Sequence, residues 1–283
     1  MMITASSHAK TYARFVKLEH SVFSLPLIFA GMLLHAHHWP SLKVVSLIVV
    51  AAVCGRVLAM GLNRIIDVDI DARNPRTQRR ELPRGAMRLG EAWTIVALAG
   101  VGYVVSAAAV APICLWLSPI PVALFVMYPY LKRFTALAHL GLGLAWSMAP
   151  VGGWLAVSRS LTGIVEVSWL WFFSVLWVAG FDVIYATMDE AFDRHAGLHS
   201  LPVWLGSQRA LKVAVLLHLV AFASLCALWY TQLHTGPSLW WLLGIGALFV
   251  WQHAISERKP EFAFFKLNGL LGFLVLGTVL VGM

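Results

Sequence analysis

With 283 residues, 60% of them hydrophobic and only 12% charged, the chain carries about half the roughly 25% charge of a water-soluble domain. Its mean hydropathy of +0.78 excludes an ordinary soluble enzyme. The net charge of +8 would suggest nucleic acid in a soluble protein, but in a membrane protein it bears on topology.

Near the amino end, Lys10, Arg14 and Lys17 lead into the apolar run Leu25 to Leu34. No small-residue cleavage site follows, so this reads as a first membrane helix and not as a removed signal peptide. Nine apolar spans can be marked, at about 20–36, 42–64, 91–109, 112–129, 136–157, 167–187, 209–229, 238–256 and 263–281, each near the length that crosses a bilayer as a helix. They are continuous rather than alternating, which argues against barrel strands. The sequence therefore predicts an all-α membrane protein with one transmembrane domain over 1–283.

The cations divide unevenly among the connections. The amino-terminal segment holds Lys10, Arg14 and Lys17, and the even-numbered connections hold Arg64, Arg73, Arg76, Arg79, Arg80, Arg84 and Arg88, then Lys132 and Arg133, then Arg194, Arg209 and Lys212, then Arg258, Lys259 and Lys266. The opposite face has only Lys43 and Arg159. The positive-inside rule puts the amino terminus and the even connections in the cytoplasm and Met283 outside. The second and sixth connections are long and charged, as functional loops on a helical scaffold often are.

Two acidic groups fall on that face. Asn63, Asp67 and Asp71 recur at steps of four and share one face if the helix continues through them. Like charges at that spacing repel unless a cation sits between them, and carboxylates with phosphate oxygens and water are what Mg²⁺ prefers. The step returns at Asp189 and Asp193, with Asp182 and Tyr185 one to two turns deeper on a similar face. A single DxxxD is as readily a solvated loop. Two copies on one face, surrounded by Arg and Lys, read as a site where metal and cations hold a polyanion together.

Arg56 lies seven residues before Asn63, inside an apolar span. An intramembrane Arg costs about 2.5–3.5 kcal/mol at least, so it faces a polar cavity or snorkels. Lys132 and Arg133 close the fourth span and serve either as topological anchors or as diphosphate ligands. His35, His37 and His38 are grouped on the outer side, and His195 and His199 show no zinc-like spacing, so no histidine is read as a metal ligand. The three cysteines, Cys54, Cys114 and Cys226, lie in apolar stretches without CxxC spacing and read as core residues. The thirteen tryptophans read as interfacial belt or bundle packing.

Taken in order, Asn63-xxx-Asp67-xxx-Asp71, Arg76-Thr77, Arg80-Glu81-Leu82-Pro83, Tyr128-Pro-Tyr-Leu-Lys-Arg-Phe-Thr135, Asp182-xx-Tyr185-xxx-Asp189-xxx-Asp193 and Gly197-Leu198-His199-Ser200 resemble the UbiA-type intramembrane aromatic prenyltransferases over nearly the whole chain. The resemblance implies nine transmembrane helices around a central cavity with cytoplasmic cap loops. It implies Mg²⁺ held by Asp67, Asp71, Asp189 and Asp193, with Asn63 supporting the first motif and Lys132 and Arg133 as diphosphate ligands. Asp69 is an extra acid that departs from the pattern and receives no role.

On this reading the partners are a polyprenyl diphosphate, an aromatic acid acceptor and the lipid bilayer of a bacterial inner membrane, with no nucleic acid. Arg80 joins the diphosphate ligands, Arg56 is the candidate for the acceptor's carboxylate, and Asp182 and Tyr185 orient the acceptor or accept its proton, or else make a structural hydrogen bond. The best-known members prenylate 4-hydroxybenzoate for ubiquinone. The wording NRIIDVDIDARNPRT and AGLHSLP, and His199 where many of those enzymes have Lys, is closer to relatives that prenylate a dihydroxynaphthoate for menaquinone. From a different class, an ion-coupled membrane transporter is the alternative.

Overall fold

A computed structural model describes residues 5–17, 21–258 and 260–283, so Lys259 lies outside the described residues. In chain order the helices are α1 (Ala5–Val16), α2 (Ser21–Ala36), α3 (Leu42–Ile66), α4 (Val68–Arg73), α5 (Leu89–Val110), α6 (Pro112–Leu117), α7 (Pro119–Leu131) and α8 (Ala138–Ser158). They continue as α9 (Ser168–Ala186), α10 (Glu190–His195), α11 (Leu201–Leu205), α12 (Ser207–Leu228), α13 (Gly236–Ile255), α14 (Pro260–Phe262) and α15 (Asn268–Gly282). No strand occurs among the described residues. Proline at the first helical positions opens α6, α11 and α13, where a missing N–H costs nothing.

Among the described residues, seven helical segments are long and apolar enough to cross a bilayer, and the shorter apolar helices Ser24–Ala36 and Asn268–Gly282 flank them in the chain. The expected ninth span, 263–281, is shortened because it begins in a π-helical turn, Ala263–Leu267. There the Ala263 carbonyl accepts from the Asn268 side-chain amide at 3.2 Å and the Gln252 amide at 3.4 Å.

The described residues within 1–21 and 43–130 form one compact unit, and those within 22–42 and 131–283 form another. In the first, Phe15 and Val16 of α1 pack with Leu58, Leu62 and Ile65 of α3, Leu82 and Met87 of the following loop, and Ala92, Val96 and Ala99 of α5. This core clamps the loop after α4 against the end of α3.

In the second unit, glycines let backbones approach where a side chain would block them. A Cβ on Gly31 of α2 would strike the Pro150 backbone of α8, one on Gly153 of α8 would strike the Ile28 backbone of α2, and one on Gly143 would strike Val175 of α9. Val183 and Ile184 of α9 pack with Leu201 of α11 and with Ala210 and Ala214 of α12. His218 of α12 is almost fully buried, with its ring where a Cβ on Gly180 would sit. It bonds the Trp177 carbonyl at 3.1 Å and His253 Nε2 at 2.9 Å. α9, which leads into the second acidic group, is thus held by apolar packing near its carboxyl-terminal end and by buried polar contacts further in.

Candidate active site

In the first unit the acidic motif straddles a helix break. α3 ends at Ile66, Asp67 takes φ −97° and ψ 8°, and α4 starts at Val68. The main-chain bonds nevertheless continue in helical register, Asp67 N to Asn63 O at 3.0 Å and Asp71 N to Asp67 O at 2.8 Å. Asn63, Asp67 and Asp71 therefore stay in line, as their spacing predicts. Asn63 Nδ2 donates to Asp67 Oδ2 at 3.3 Å, and Asp67 and Asp71 are buried while Asp69 is exposed.

Pro75 stops α4, because the residue before a proline is pushed out of the helical region; Asn74 adopts φ −84° and ψ 120°. The chain turns back through Asn74, whose side chain accepts the Arg76 amide at 2.9 Å, and through Thr77, whose hydroxyl donates to the Asp71 carbonyl at 3.1 Å. That turn delivers Arg80 onto Asp71, with Nη1 donating to Oδ1 at 2.9 Å and to Oδ2 at 2.7 Å. The next residue, Glu81, meets Arg64 Nη1 at 3.0 Å in a buried ion pair. The Phe15 ring lies 5.9 Å from the Arg64 guanidinium carbon. Arg56 is half-buried within α3.

In the second unit, α9 does not run on as one helix through its acids. A 3₁₀ turn, Thr187–Asp189, separates it from α10, so the simple same-face picture for Asp182, Tyr185, Asp189 and Asp193 does not hold over the whole stretch. The tighter turn advances side chains by more than an α-helical step. All four residues are half-buried.

Glu190, between the two aspartates of this motif, is taken up structurally: one oxygen accepts from Arg194 at 2.8 Å, and the other accepts from the Ser207 amide at 3.0 Å and the Ser207 hydroxyl. It thereby caps the start of α12, where a helix favours negative charge.

Asp182 is held by a residue that the sequence did not single out. His139, buried at the start of α8, contacts Asp182 Oδ2 through Nδ1 at 2.7 Å. The Leu201 amide donates to His139 Nε2 at 3.2 Å. Since Nε2 accepts, Nδ1 is the protonated nitrogen and donates to Asp182.

The loop of Gly197 to Ser200 is tied in as well. Leu198 N donates to Asp193 O at 2.9 Å, and His199 N donates to Lys132 O at 2.7 Å. Lys132, with Arg133 next to it, thus joins the acidic stretch through main-chain contacts, while the His199 side chain is exposed.

Among the described residues, no three His, Cys, Asp or Glu side chains group as a ready-made metal cage. The donor chemistry is nevertheless that of a hard cation: paired carboxylates at helix ends with an amide beside them, without thiolate or imidazole, a set that suits Mg²⁺ when phosphate oxygens or water complete the shell.

Residues 24–276 match the family model described as the UbiA prenyltransferase family. The chain belongs to that family. It is an integral membrane protein and an enzyme of the prenyltransferase class, which removes the transporter alternative. It is 30% identical to a 4-hydroxybenzoate octaprenyltransferase of Vibrio vulnificus over 94% of this chain and 95% of that protein. A protein of the same description from Vibrio cholerae is 31% identical over 96% of this chain and 97% of its own length. Among solved structures, a UbiA homolog from Aeropyrum pernix K1 superposes with a TM-score of 0.82 at 33% identity, covering 93% of this chain and 98% of that one. A UbiA homolog from Archaeoglobus fulgidus, bound to GPP and Mg²⁺, shares the fold with a TM-score of 0.73 at 17% identity, covering 96% of this chain and all of that one.

Proposed function

We propose that this member of the family transfers the prenyl group of a polyprenyl diphosphate to a phenolic aromatic acid of the 4-hydroxybenzoate type in quinone biosynthesis. The observation that carries this reading is the first acidic motif itself, Asp67 and Asp71 buried at the end of a long apolar helix with Asn63 beneath and Arg80 beside them. The descriptions of the Vibrio relatives support the acceptor class.

Asp67 and Asp71 of the first unit and Asp189 and Asp193 of the second are the residues that would hold Mg²⁺. When bound, the cation supplies positive charge to the diphosphate oxygens as they become a leaving group. Lys132, Arg133 and Arg80 add charge-assisted hydrogen bonds to the same oxygens. The allylic C–O bond breaks and its electron pair leaves with the diphosphate. A ring carbon ortho to the phenolic oxygen then bonds the allylic carbon, and a ring proton is lost.

Arg56 holds the acceptor's carboxylate, and Asp182, with Tyr185 nearby in sequence, orients the phenol or receives the proton. The surrounding apolar helices keep water from capturing the allylic carbocation left when the diphosphate departs. Nine spans, with the amino terminus and even connections cytoplasmic and Met283 outside, are the topology that goes with this reading.

A second acceptor class is favoured by the exposed His199, which stands where many 4-hydroxybenzoate enzymes have Lys: a dihydroxynaphthoate of menaquinone synthesis. Purified protein, Mg²⁺ and one labelled prenyl diphosphate, offered each acid in turn, tests both by mass analysis of the product. The expected result is prenylated 4-hydroxybenzoate with release of diphosphate, abolished by EDTA. Prenylation of the naphthoate alone would move the assignment to the second class, and transfer that continues unchanged in EDTA would overturn the metal-dependent mechanism.

A further inference from the structure

Two ion pairs join the helical limb 63–73 to the loop 74–87, and their polarity is crossed. The helix contributes Arg64 and Asp71, and the loop contributes the adjacent Glu81 and Arg80. The pairs differ in how far their partners are free to leave. Arg64 and Glu81 are 5% and 9% exposed in their side chains, the Phe15 ring lies over the guanidinium, and Arg64 Nη2 also reaches the Arg14 carbonyl at 3.5 Å. In the other pair Asp71 is 7% exposed, but Arg80 is 29% exposed, with a long side chain at the rim of the loop.

Arg80 Nη1 lies on both Asp71 oxygens, at 2.9 Å and 2.7 Å. A divalent cation bound by Asp71 would compete for those same oxygens and stand close to a fixed positive charge, so guanidinium and metal weaken one another there. Once displaced, Arg80 needs a new anion, and a diphosphate offers oxygens in the geometry a guanidinium fork prefers.

We infer that Arg80 is an exchangeable counter-ion of Asp71, kept over it by the immobile Arg64–Glu81 pair, so that metal and diphosphate enter together and the cation alone binds weakly. This rests on the reading of Asp71 as a metal ligand and of a diphosphate as the substrate's anion. Coupling of this kind is reciprocal, each ligand strengthening the other. Arg80 then has two successive partners, its own carboxylate and the substrate's phosphate.

The test uses Mn²⁺ as the only added ligand, with binding to the full-length protein in detergent followed by electron paramagnetic resonance. Arg80→Gln should bind Mn²⁺ at least about tenfold more tightly than wild type, a gain of about 1.4 kcal/mol, while its KM for prenyl diphosphate rises. Arg80→Lys, a milder change that keeps the charge but loses the fork, should fall between the two. Arg79→Gln and Arg84→Gln remove exposed cations from the same loop and should leave Mn²⁺ affinity within about twofold of wild type, because screened surface charges contribute little. The gain should vanish in the Arg80→Gln/Asp71→Asn double variant.

Equal Mn²⁺ affinity in wild type, Arg80→Gln and Arg80→Lys would overturn the exchange, as would an equal gain from Arg79→Gln. Failure of the underlying reading looks different: wild type would transfer no prenyl group to any aromatic acid, and Asp71→Asn would bind Mn²⁺ as wild type does.

Discussion

His139 donates to Asp182 because its other ring nitrogen is committed to the Leu201 amide. The imidazole thus links the start of α8 to an acid of α9 and to the first residue of α11. Replacing it by Leu in His139→Leu removes one donor from Asp182 and one acceptor from the Leu201 amide. Asp182 keeps some solvent contact, with 24% of its side chain exposed, so the stability lost should be near the low end for a broken buried hydrogen bond, about 1 kcal/mol. Thermal unfolding in detergent measures that loss. If His139 acts through Asp182, prenyl transfer should fall in His139→Leu, and the His139→Leu/Asp182→Asn double variant should be no slower than Asp182→Asn alone. Full additivity would show that the two residues act apart. The spacing pointed to Asp182, but no local pattern could identify a partner 43 residues away. Glu190 shows the same limit: nothing in its place beside Asp189 marks it as the cap of α12, and only the fold assigns it to Ser207.

At the scale of elements, the first motif was legible because i→i−4 bonding persists through the break at Asp67. The second was legible only in outline, since the 3₁₀ turn Thr187–Asp189 changes the angular step just where the spacing rule was applied. Helix contacts were less visible still, because a glycine in an apolar run shows no preference for a face until a neighbour is placed against it. Gly153 and its neighbour Gly152 make the point. Gly153 faces the Ile28 backbone, whereas a Cβ at Gly152 meets nothing within 4 Å. Gly153→Leu should force α2 and α8 apart and cost about 1–3 kcal/mol or more. Gly152→Ala should be neutral or stabilising by up to about 1 kcal/mol, since Ala is the better helix former. Melting temperatures of the two variants in one detergent check the contrast, and equal melting temperatures would contradict the packing.

For the whole molecule, 60% hydrophobic and 12% charged residues were enough for a membrane protein, and the continuous apolar runs of bilayer length made it helical. The count of spans was harder to read. Hydropathy sees a predominantly apolar span at 263–281, whereas the chain spends its first residues on the π-helical turn and leaves α15 with only fifteen. Charge distribution makes a sharper statement. With Lys43 and Arg159 as the only cations assigned to the outer face, alkaline phosphatase fused after Met283 should be active, and green fluorescent protein there should stay dark. The same reporters inserted after Gly197 should give the reverse, and fluorescence at Met283 would overturn the orientation.

Phe15 is fully enclosed in the core of its unit and shields the Arg64 guanidinium. Trimming the amino-terminal seventeen residues to obtain a tidier sample would therefore wet a charge pair that anchors Arg80. Such a preparation should still insert into the bilayer yet handle its anionic substrate poorly. A purification handle belongs at the other end of the chain.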